Sequence, residues 1–565
     1  MQTFRAMIWR LVATLVAVGA AGRPLRAQGA DCTSFSDVDA EHVASLCEHI
    51  RRCQTSRGPL NAVPYQYIGA PVLLQQYFNA YGLLCLFAES RINPVQAAAN
   101  RPVIQDWLVH HANLMAPTGP LSAEQELQVD TSRPLNRMGA KTSAGAAATD
   151  NYYVPRPVSG TFDPVDEWVQ PGASSECVDA DDSIAAMYLL IAGLYARDPG
   201  VAGEDADIRR GVEAAMAILR ACRDPKCESR RPYRSFWTSR TCPDPDPFPD
   251  LRQCLDNIEV GLGLTAVQWY FERWPNDALG QEARKSSREL AFALTEFEHV
   301  TSEGERYFLP LPNETVNTTL GSHPSHGFTN LRAITHLLPS QVERDALYQL
   351  VHDAIPREFG NPPDAERVCD LMGCQVEGTF TPDWSLAANR TSLASLQSLS
   401  RTHNRGRVQF LREQSCEILN QQKNYAGYWA FREFEVSLAV LALISESHLI
   451  DELPQAPYPF TIHGDDGGDR FDVYVEPPMR VTRNGDSVDI PDGVEHILID
   501  SGVGSDAIYI HHPGGNQTLT IGDSDWRPQA SPETPSWMRL DGPYGMIGVR
   551  ARGHATLTIE TSPPE

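Results

Sequence analysis

The chain has no surplus of positive charge: 47 Lys and Arg stand against 72 Asp and Glu, for a formal net charge of -25. That balance argues against a nucleic-acid or anionic-membrane partner. There is no G-x-S-x-G elbow, no P-loop, and no glycine-rich dinucleotide motif after a strand-like segment. Serine-esterase, nucleotide-dependent and Rossmann chemistries therefore lose their usual signatures. No fixed-period repeat of the solenoid kind is present, and beyond the N-terminal stretch no segment is long and apolar enough to span a bilayer.

What is present begins with the composition of a secretory signal. Arg5 and Arg10 frame a positive start, Leu11 to Ala20 are apolar, and Leu25-Arg26-Ala27 offers a small-residue cleavage site. Residues 1–27 are thus expected to be removed, a processing point near Ala20 fitting almost as well, leaving a secreted or periplasmic protein with no membrane association. All twelve cysteines follow this segment, and an even count in an exported chain predicts disulfides. Cys47 and Cys53, Cys222 and Cys227, Cys242 and Cys254, and Cys369 and Cys374 sit at short loop spacings, while the connectivity is not fixed by sequence. Zinc is the rival reading, but these pairs lack the second knuckle that a structural zinc site needs.

From about residue 38 to 449 the pattern is helical, in two alternating kinds. Ser183 to Tyr195 is apolar nearly all round, as a helix buried on every side must be. Asp207 to Cys222 instead places Ile208, Val212, Met216 and Leu219 on one face and Arg209, Arg210, Glu213 and Arg220 opposite. The alternation recurs in Ile258 to Phe271, largely apolar, and Gln281 to Phe297, one-sided; Trp429 to Ile444 is a third segment of the buried kind. An inner ring packed on both sides and an outer ring facing water would produce this alternation, so the expected fold over residues 31–453 is an (α/α)6 toroid of helical hairpins. An open superhelix would show a similar pattern. After Pro454 the period changes to two: Arg470 to Val475, His496 to Asp500, Ala507 to His511, Gln517 to Ile521 and Ala555 to Glu560 read as strands. Residues 456–565 are expected to form a β-sandwich accessory domain, on which Trp526 and Trp537 hint weakly at a carbohydrate platform. Between Met115 and Cys177 a long Pro-, Gly-, Ser- and Thr-rich segment carries Tyr152, Tyr153, Phe162 and Trp168, and is read either as a drape over a groove or as a surface excursion.

The chemistry-bearing residues cluster at helix starts. Asp179, Asp181 and Asp182 immediately precede or open the most apolar helix, and Asp256, Asn257 and Glu259 open another. Carboxylates there are stabilised by free N–H groups and the helix dipole, so capping alone explains part of the pattern; Asp256 or Asn257 as cap with Glu259 reaching back would be a capping box. If the inner helices run parallel, however, their N-termini gather at one end of the ring, and Asp182 and Glu259 become a facing pair of the kind glycoside hydrolysis uses, with Asp256 beside them. Asp179, Asp181, Asn257, Tyr152, Trp168, Tyr428 and Trp429 are candidate substrate contacts, the aromatic rings because flat faces match those of pyranosides. Glu433 and Glu435, with Arg432, read better as structural ion pairs. His323-Pro-Ser-His326 lacks the adjacent glutamate of a metal site, and neither a metal nor a cofactor is expected.

At these two clusters the chain resembles a group of bacterial six-hairpin glycosidase-like proteins, in which Asp-x-x-Asp-Ser opens one helix and Asp-Asn-x-Glu-Val opens a later one. Here the first is Asp179-Ala180-Asp181-Asp182-Ser183 and the second Asp256-Asn257-Ile258-Glu259-Val260. The resemblance implies an (α/α)6 fold and a sugar substrate; the long loop and the cysteines depart from it. The expected function is that of a secreted carbohydrate-active enzyme, a glycoside hydrolase acting on a poly- or oligosaccharide. The alternatives are a polysaccharide lyase on the same fold and a non-catalytic exported glycan-binding or scaffold protein.

Overall fold

The computed structural model describes residues 72–116, 151–154, 181–223, 252–301, 304–312, 326–338, 341–354 and most of 453–561, with short pieces around 43–51, 232–233 and 318–321. The protein is mainly α-helical, with sheets toward its C-terminus. Among the described residues four helical hairpins follow one another: α1 Gln76–Ile92 with α2 Pro94–Met115, α3 Asp181–Arg197 with α4 Ala206–Cys222, α5 Cys254–Arg273 with α6 Asp277–Ala293, and α7 His326–His336 with α8 Gln341–Ala354. The first members pack on one another, α1 on α3, α3 on α5 and α5 on α7, while α2 packs on α4 outside them.

The sequence explains which helix goes where. Every residue of α3 from Asp182 to Ala196 is buried, whereas α4 leaves Glu213 and Arg220 exposed opposite its buried Ile208, Val212, Met216 and Leu219. Side chains set the starts of the outer helices. Asn93 accepts from Val95 N–H ahead of Pro94, Asp205 from Asp207 and Ile208 N–H, and Asn276 from Leu279 N–H, each satisfying donors that the helix itself cannot. No helix among the described residues is long and apolar enough to cross a membrane.

The reading of Gln281 to Phe297 as one half-buried helix needs correction. α6 ends at Ala293, a 3-10 turn covers Leu294–Phe297, and strands β3 Glu298–Val300 and β4 Arg306–Phe308 form a hairpin behind it. The outward side of α6 is also covered, because Ala291 and Phe292 pack on Leu498, Trp537 and Met546 from the C-terminal sheets. Trp537 is therefore not a sugar platform. It is buried, with its ring 5.6 Å from that of Phe292. Trp526 lies outside the described residues.

Those sheets are two, each five-stranded. One orders β14-β10-β6-β7-β8 and the other β11-β12-β13-β9-β5, with β5 Phe460–His463, β6 Arg470–Tyr474, β7 Arg480–Arg483, β8 Asp486–Val488, β9 His496–Asp500, β10 Ser505–His512, β11 Thr520–Asp525, β12 Ser536–Gly542, β13 Gly545–Ala551 and β14 His554–Thr561. Phe471, Val473, Ile508 and Ile510 of the first share one core with Ile497, Ile499, Leu540, Ile547 and Val549 of the second. Within the first sheet β6, β10 and β14 lie parallel, as do β5, β9 and β13 in the second. The turn at Asn484-Gly485 joins β7 to β8 with both residues at positive φ, which is why Gly follows Asn there.

The cysteine pairings also change. Cys47 and Cys254 are buried thiols outside any disulfide, which removes the pairs with Cys53 and Cys242. Burial pushes the Cys47 thiol up, as it does Cys254, where the Asp256 charge adds to it. Cys227, Cys369 and Cys374 lie outside the described residues.

Candidate active site

Two glycines bring the inner helices α3 and α5 together. A β-carbon on Gly263 would lie 2.4 Å from the Ala186 carbonyl oxygen, and one on Gly193 would lie 2.1 Å from that of Ala266, closer than atoms in contact can come. The two contacts advance in the same direction along both helices, so α3 and α5 run parallel. Asp182 precedes Ala186 by four residues and Glu259 precedes Gly263 by four. Each carboxylate thus stands one turn, about 6 Å, on the N-terminal side of the closest approach, on the same face as the contact residue. Both lie near the N-terminal ends of these parallel helices, and both are fully buried.

Two further inner helices reach Glu259. The Tyr81 hydroxyl of α1 donates to Glu259 Oε1 at 2.6 Å, and Arg332 Nη2 of α7 donates to the same hydroxyl at 2.9 Å. The Arg332 guanidinium sits 5.4 Å from the centre of the Tyr81 ring. Tyr81, Asp182, Glu259 and Arg332 each come from a different inner helix, and all four are buried. Tyr81 and Arg332 also line a small hollow with His336, one turn after Arg332. Its apolar wall is Leu84, Met187, Leu190 and Leu262, and Leu453 and Pro454 lie against it.

The helices that carry Glu259 and Arg332 are fixed by the same device. Asn257 accepts from Tyr233 N–H at 2.6 Å and donates to Tyr233 O at 3.0 Å and Gln253 O at 2.8 Å. Asn330 accepts from Phe308 N–H at 2.8 Å and donates to Phe308 O at 2.9 Å and His326 O at 2.8 Å. In each case an asparagine clamps an extended strand of main chain, and the residue two places on, Glu259 or Arg332, meets the Tyr81 hydroxyl.

This arrangement revises several sequence expectations. Asn257, a candidate substrate contact, has its amide engaged with the main chain. The capping box is absent: α5 starts at Cys254 after Gln253, which makes no side-chain cap, and Glu259 in the second turn binds Tyr81 rather than reaching back. Asp256 is buried in the first turn of α5. Asp182 Oδ1 accepts the adjacent Ser183 N–H at 2.8 Å. Asp181 opens α3, and β2 Asn151–Val154 pairs with β1 Val72–Gln75, setting Tyr152 opposite Leu74 at the entrance to α1. The side chains of Asp181 and Tyr152 are not among the described ones. Asp179, Trp168, Tyr428, Trp429, Arg432, Glu433 and Glu435 lie outside the described residues. His326 accepts from Gly321 N–H at 2.9 Å through Nδ1, and no group of potential metal ligands occurs among the described residues.

Sequence reading missed Tyr81, Arg332 and His336. One signal was available: Thr329-Asn330-Leu331-Arg332 repeats the order of Asp256-Asn257-Ile258-Glu259, with Asn two before the inward residue.

No family model matches the chain, and no curated protein does. Among solved structures it is similar to a D-mannose isomerase (10% identity over 75% of this chain and 100% of that one, TM-score 0.41). It is also similar to a glycosidase (15%, 74% and 100%, 0.38) and to the GH76A α-1,6-mannanase from Salegentibacter sp. HEL1_6 (8%, 73% and 99%, 0.35).

Proposed function

We propose that this protein is an exported carbohydrate-active enzyme, a glycoside hydrolase in which Asp182 and Glu259 are the reacting carboxyls. In this reading residues 1–27 are a signal peptide, 31–453 form an (α/α)6 toroid and 456–565 a β-sandwich accessory domain. What supports the reading is the burial of Asp182 and Glu259 near the N-terminal ends of two parallel inner helices that pack closely on one another. Hydrolysis of a glycosidic bond needs two carboxyls near each other, one protonated to release the leaving oxygen and one ionised to activate water or attack the sugar. A pair that served only as helix caps would not need a tyrosine and an arginine from two other helices to hold one member.

The test is incubation of the purified protein with a panel of poly- and oligosaccharides, alongside Asp182→Asn and Glu259→Gln. Reducing ends released by the parent and lost by at least about a hundredfold in both variants, at unchanged thermal midpoint, support the hydrolase. Binding without turnover on every glycan would make it a glycan-binding protein.

A second reading gains from one observation. Tyr81, His336 and Arg332 share the hollow, and a polysaccharide lyase needs a Tyr or His base with a cation to neutralise a uronate. Lyase action would reveal itself as an unsaturated, ultraviolet-absorbing product from uronate polymers. Hydrolysis ranks first because the Tyr81 proton is directed at Glu259.

A further inference from the structure

We infer that the C-terminal sheets form one body with the helices rather than a detachable module, because residues 453–458, which lead into them, act as a strap. The strap walls one side of the hollow at Arg332 and holds the end of α7, so that the seating of the sheets is transmitted to the helix that carries Arg332. The inference does not depend on the reaction assigned to Glu259.

The segment reads Leu453-Pro454-Gln455-Ala456-Pro457-Tyr458. Two prolines in six residues rule out a helix and favour extended chain, whose main-chain groups must find partners elsewhere. They find them on two inner helices. Ala456 N–H donates at 2.8 Å to the carbonyl of His336, the last residue of α7, where the helix has no donor of its own to offer. Thr265 Oγ1 of α5 donates to the Gln455 carbonyl at 3.0 Å. One turn earlier on α5, a β-carbon on Gly261 would lie 2.7 Å from Ala456 Cβ and 2.9 Å from Pro457 Cδ. The strap therefore fits against α5 because position 261 has no side chain. Leu453, Ala456 and Tyr458 are buried in the same core as the inner helices. A flexible tether between modules would be exposed and would make few contacts.

Both ends of the strap matter. At its start, Leu453 and Pro454 line the hollow with Tyr81, Arg332 and His336. Gly261, Thr265 and His336 all follow Glu259 or Arg332 along their helices, so the strap lies on the side of these residues away from the helix starts. At its end, the Tyr458 ring is 5.7 Å from that of Phe308, and its hydroxyl donates to Glu298. Arg550 of β13 reaches the same carboxylate at 3.0 Å, and β5 begins two residues later at Phe460. Phe308 is in turn the residue whose main chain Asn330 clamps. α7 is thus tied toward the sheets twice, at His336 through Ala456 and at Asn330 through Phe308 and Tyr458. Arg332, which donates to the Tyr81 hydroxyl, lies between the two ties.

Hydrogen exchange in the full-length protein tests this without any substrate, so failure to cleave glycans leaves the result intact. In the parent, the Ala456 amide is expected to exchange as slowly as core amides of α5, within about threefold. In Gly261→Val, whose added side chain meets the strap first, exchange is expected to quicken at least about tenfold both in residues 326–336 and in β5 and β9, with α4 unchanged. An Ala456 amide that exchanges as fast as exposed loops overturns the inference. So does a Gly261→Val protein in which only residues 453–458 loosen, since a passive linker would behave in that way. If Gly261→Val fails to fold or loosens α4 as well, Thr265→Val, which removes the bond to Gln455, is judged by the same segments, and the parent's Ala456 rate stands on its own.

Discussion

Gly263 meets the Ala186 carbonyl with no room for a side chain: a β-carbon would come within 2.4 Å of that oxygen. The obstacle is main chain, which cannot rotate away. Gly263→Ala is therefore expected to destabilise the fold by about 1–3 kcal/mol through overpacking, and to reduce activity by displacing Glu259. Urea unfolding together with turnover per folded molecule measures both. A variant as stable as the parent would mean that α3 and α5 are not in this contact.

The asparagine clamps make a second prediction. Asn257→Ala leaves the main-chain groups of Tyr233 without their partner, and Asn330→Ala does the same at Phe308. Each is expected to lose about 1–3 kcal/mol and to keep its KM, measured per folded molecule. A raised KM at unchanged stability would put Asn257 against substrate after all.

Where the helices meet the sheets, the side chain of Glu298 lies fully buried between cations. It accepts from Arg306 at 3.1 Å and Arg550 at 3.0 Å, and from the Tyr458 hydroxyl; Arg550 also reaches Asp500 at 2.7 Å. Burial acts to raise the Glu298 carboxyl, but the Arg306 and Arg550 charges outweigh it and hold the group below its usual range. A depressed acid stabilises the fold fully above its unfolded value of about 4.3 and loses that contribution as pH falls toward the lower folded value. Glu298→Gln should thus be less stable than the parent by about 3–5 kcal/mol near neutrality, with the gap narrowing below about pH 4. Equal stabilities at pH 7 in denaturant titrations would contradict the network.

His111 gives a pH effect at milder acidity. It is fully buried, its ring 4.4 Å from that of Trp107, and neither ring nitrogen has a hydrogen-bond partner among the described residues. Burial, with a smaller effect from His110, lowers its proton affinity well below the usual histidine range. The folded protein holds it neutral while the unfolded chain binds a proton below about pH 6.5, so stability falls as pH drops from there. His111→Leu is expected to match or exceed the parent at pH 7 and to show a shallower loss between pH 7 and 5. Parallel pH profiles for the two would contradict this.

What was legible in the sequence follows from what is local. The inner helix α3 could be read because burial on every side leaves an apolar run, and α4 because one wet face leaves a period of 3.6. Strands β6, β9, β10 and β14 alternated or ran apolar between turn residues. β12 and β13 did not stand out: Gly548 of β13 gives way to the Phe292 ring, 2.4 Å from where a β-carbon would be, so both of its faces are covered and the alternation is lost. Asp182 and Glu259 were conspicuous as carboxylates at the mouths of apolar helices. Tyr81 and Arg332 were not, because their link spans 251 positions and that of Tyr81 to Glu259 spans 178. No spacing rule along the chain encodes a contact between inner helices that are not neighbours in sequence.

The most direct measurement is a crystal structure of Glu259→Gln soaked with whichever oligosaccharide the parent cleaves. The account predicts a glycosidic oxygen within hydrogen-bond reach of Asp182, with the anomeric carbon facing the side chain at position 259. A sugar seated on the C-terminal sheets, with no ligand at Asp182 and Glu259, would contradict it.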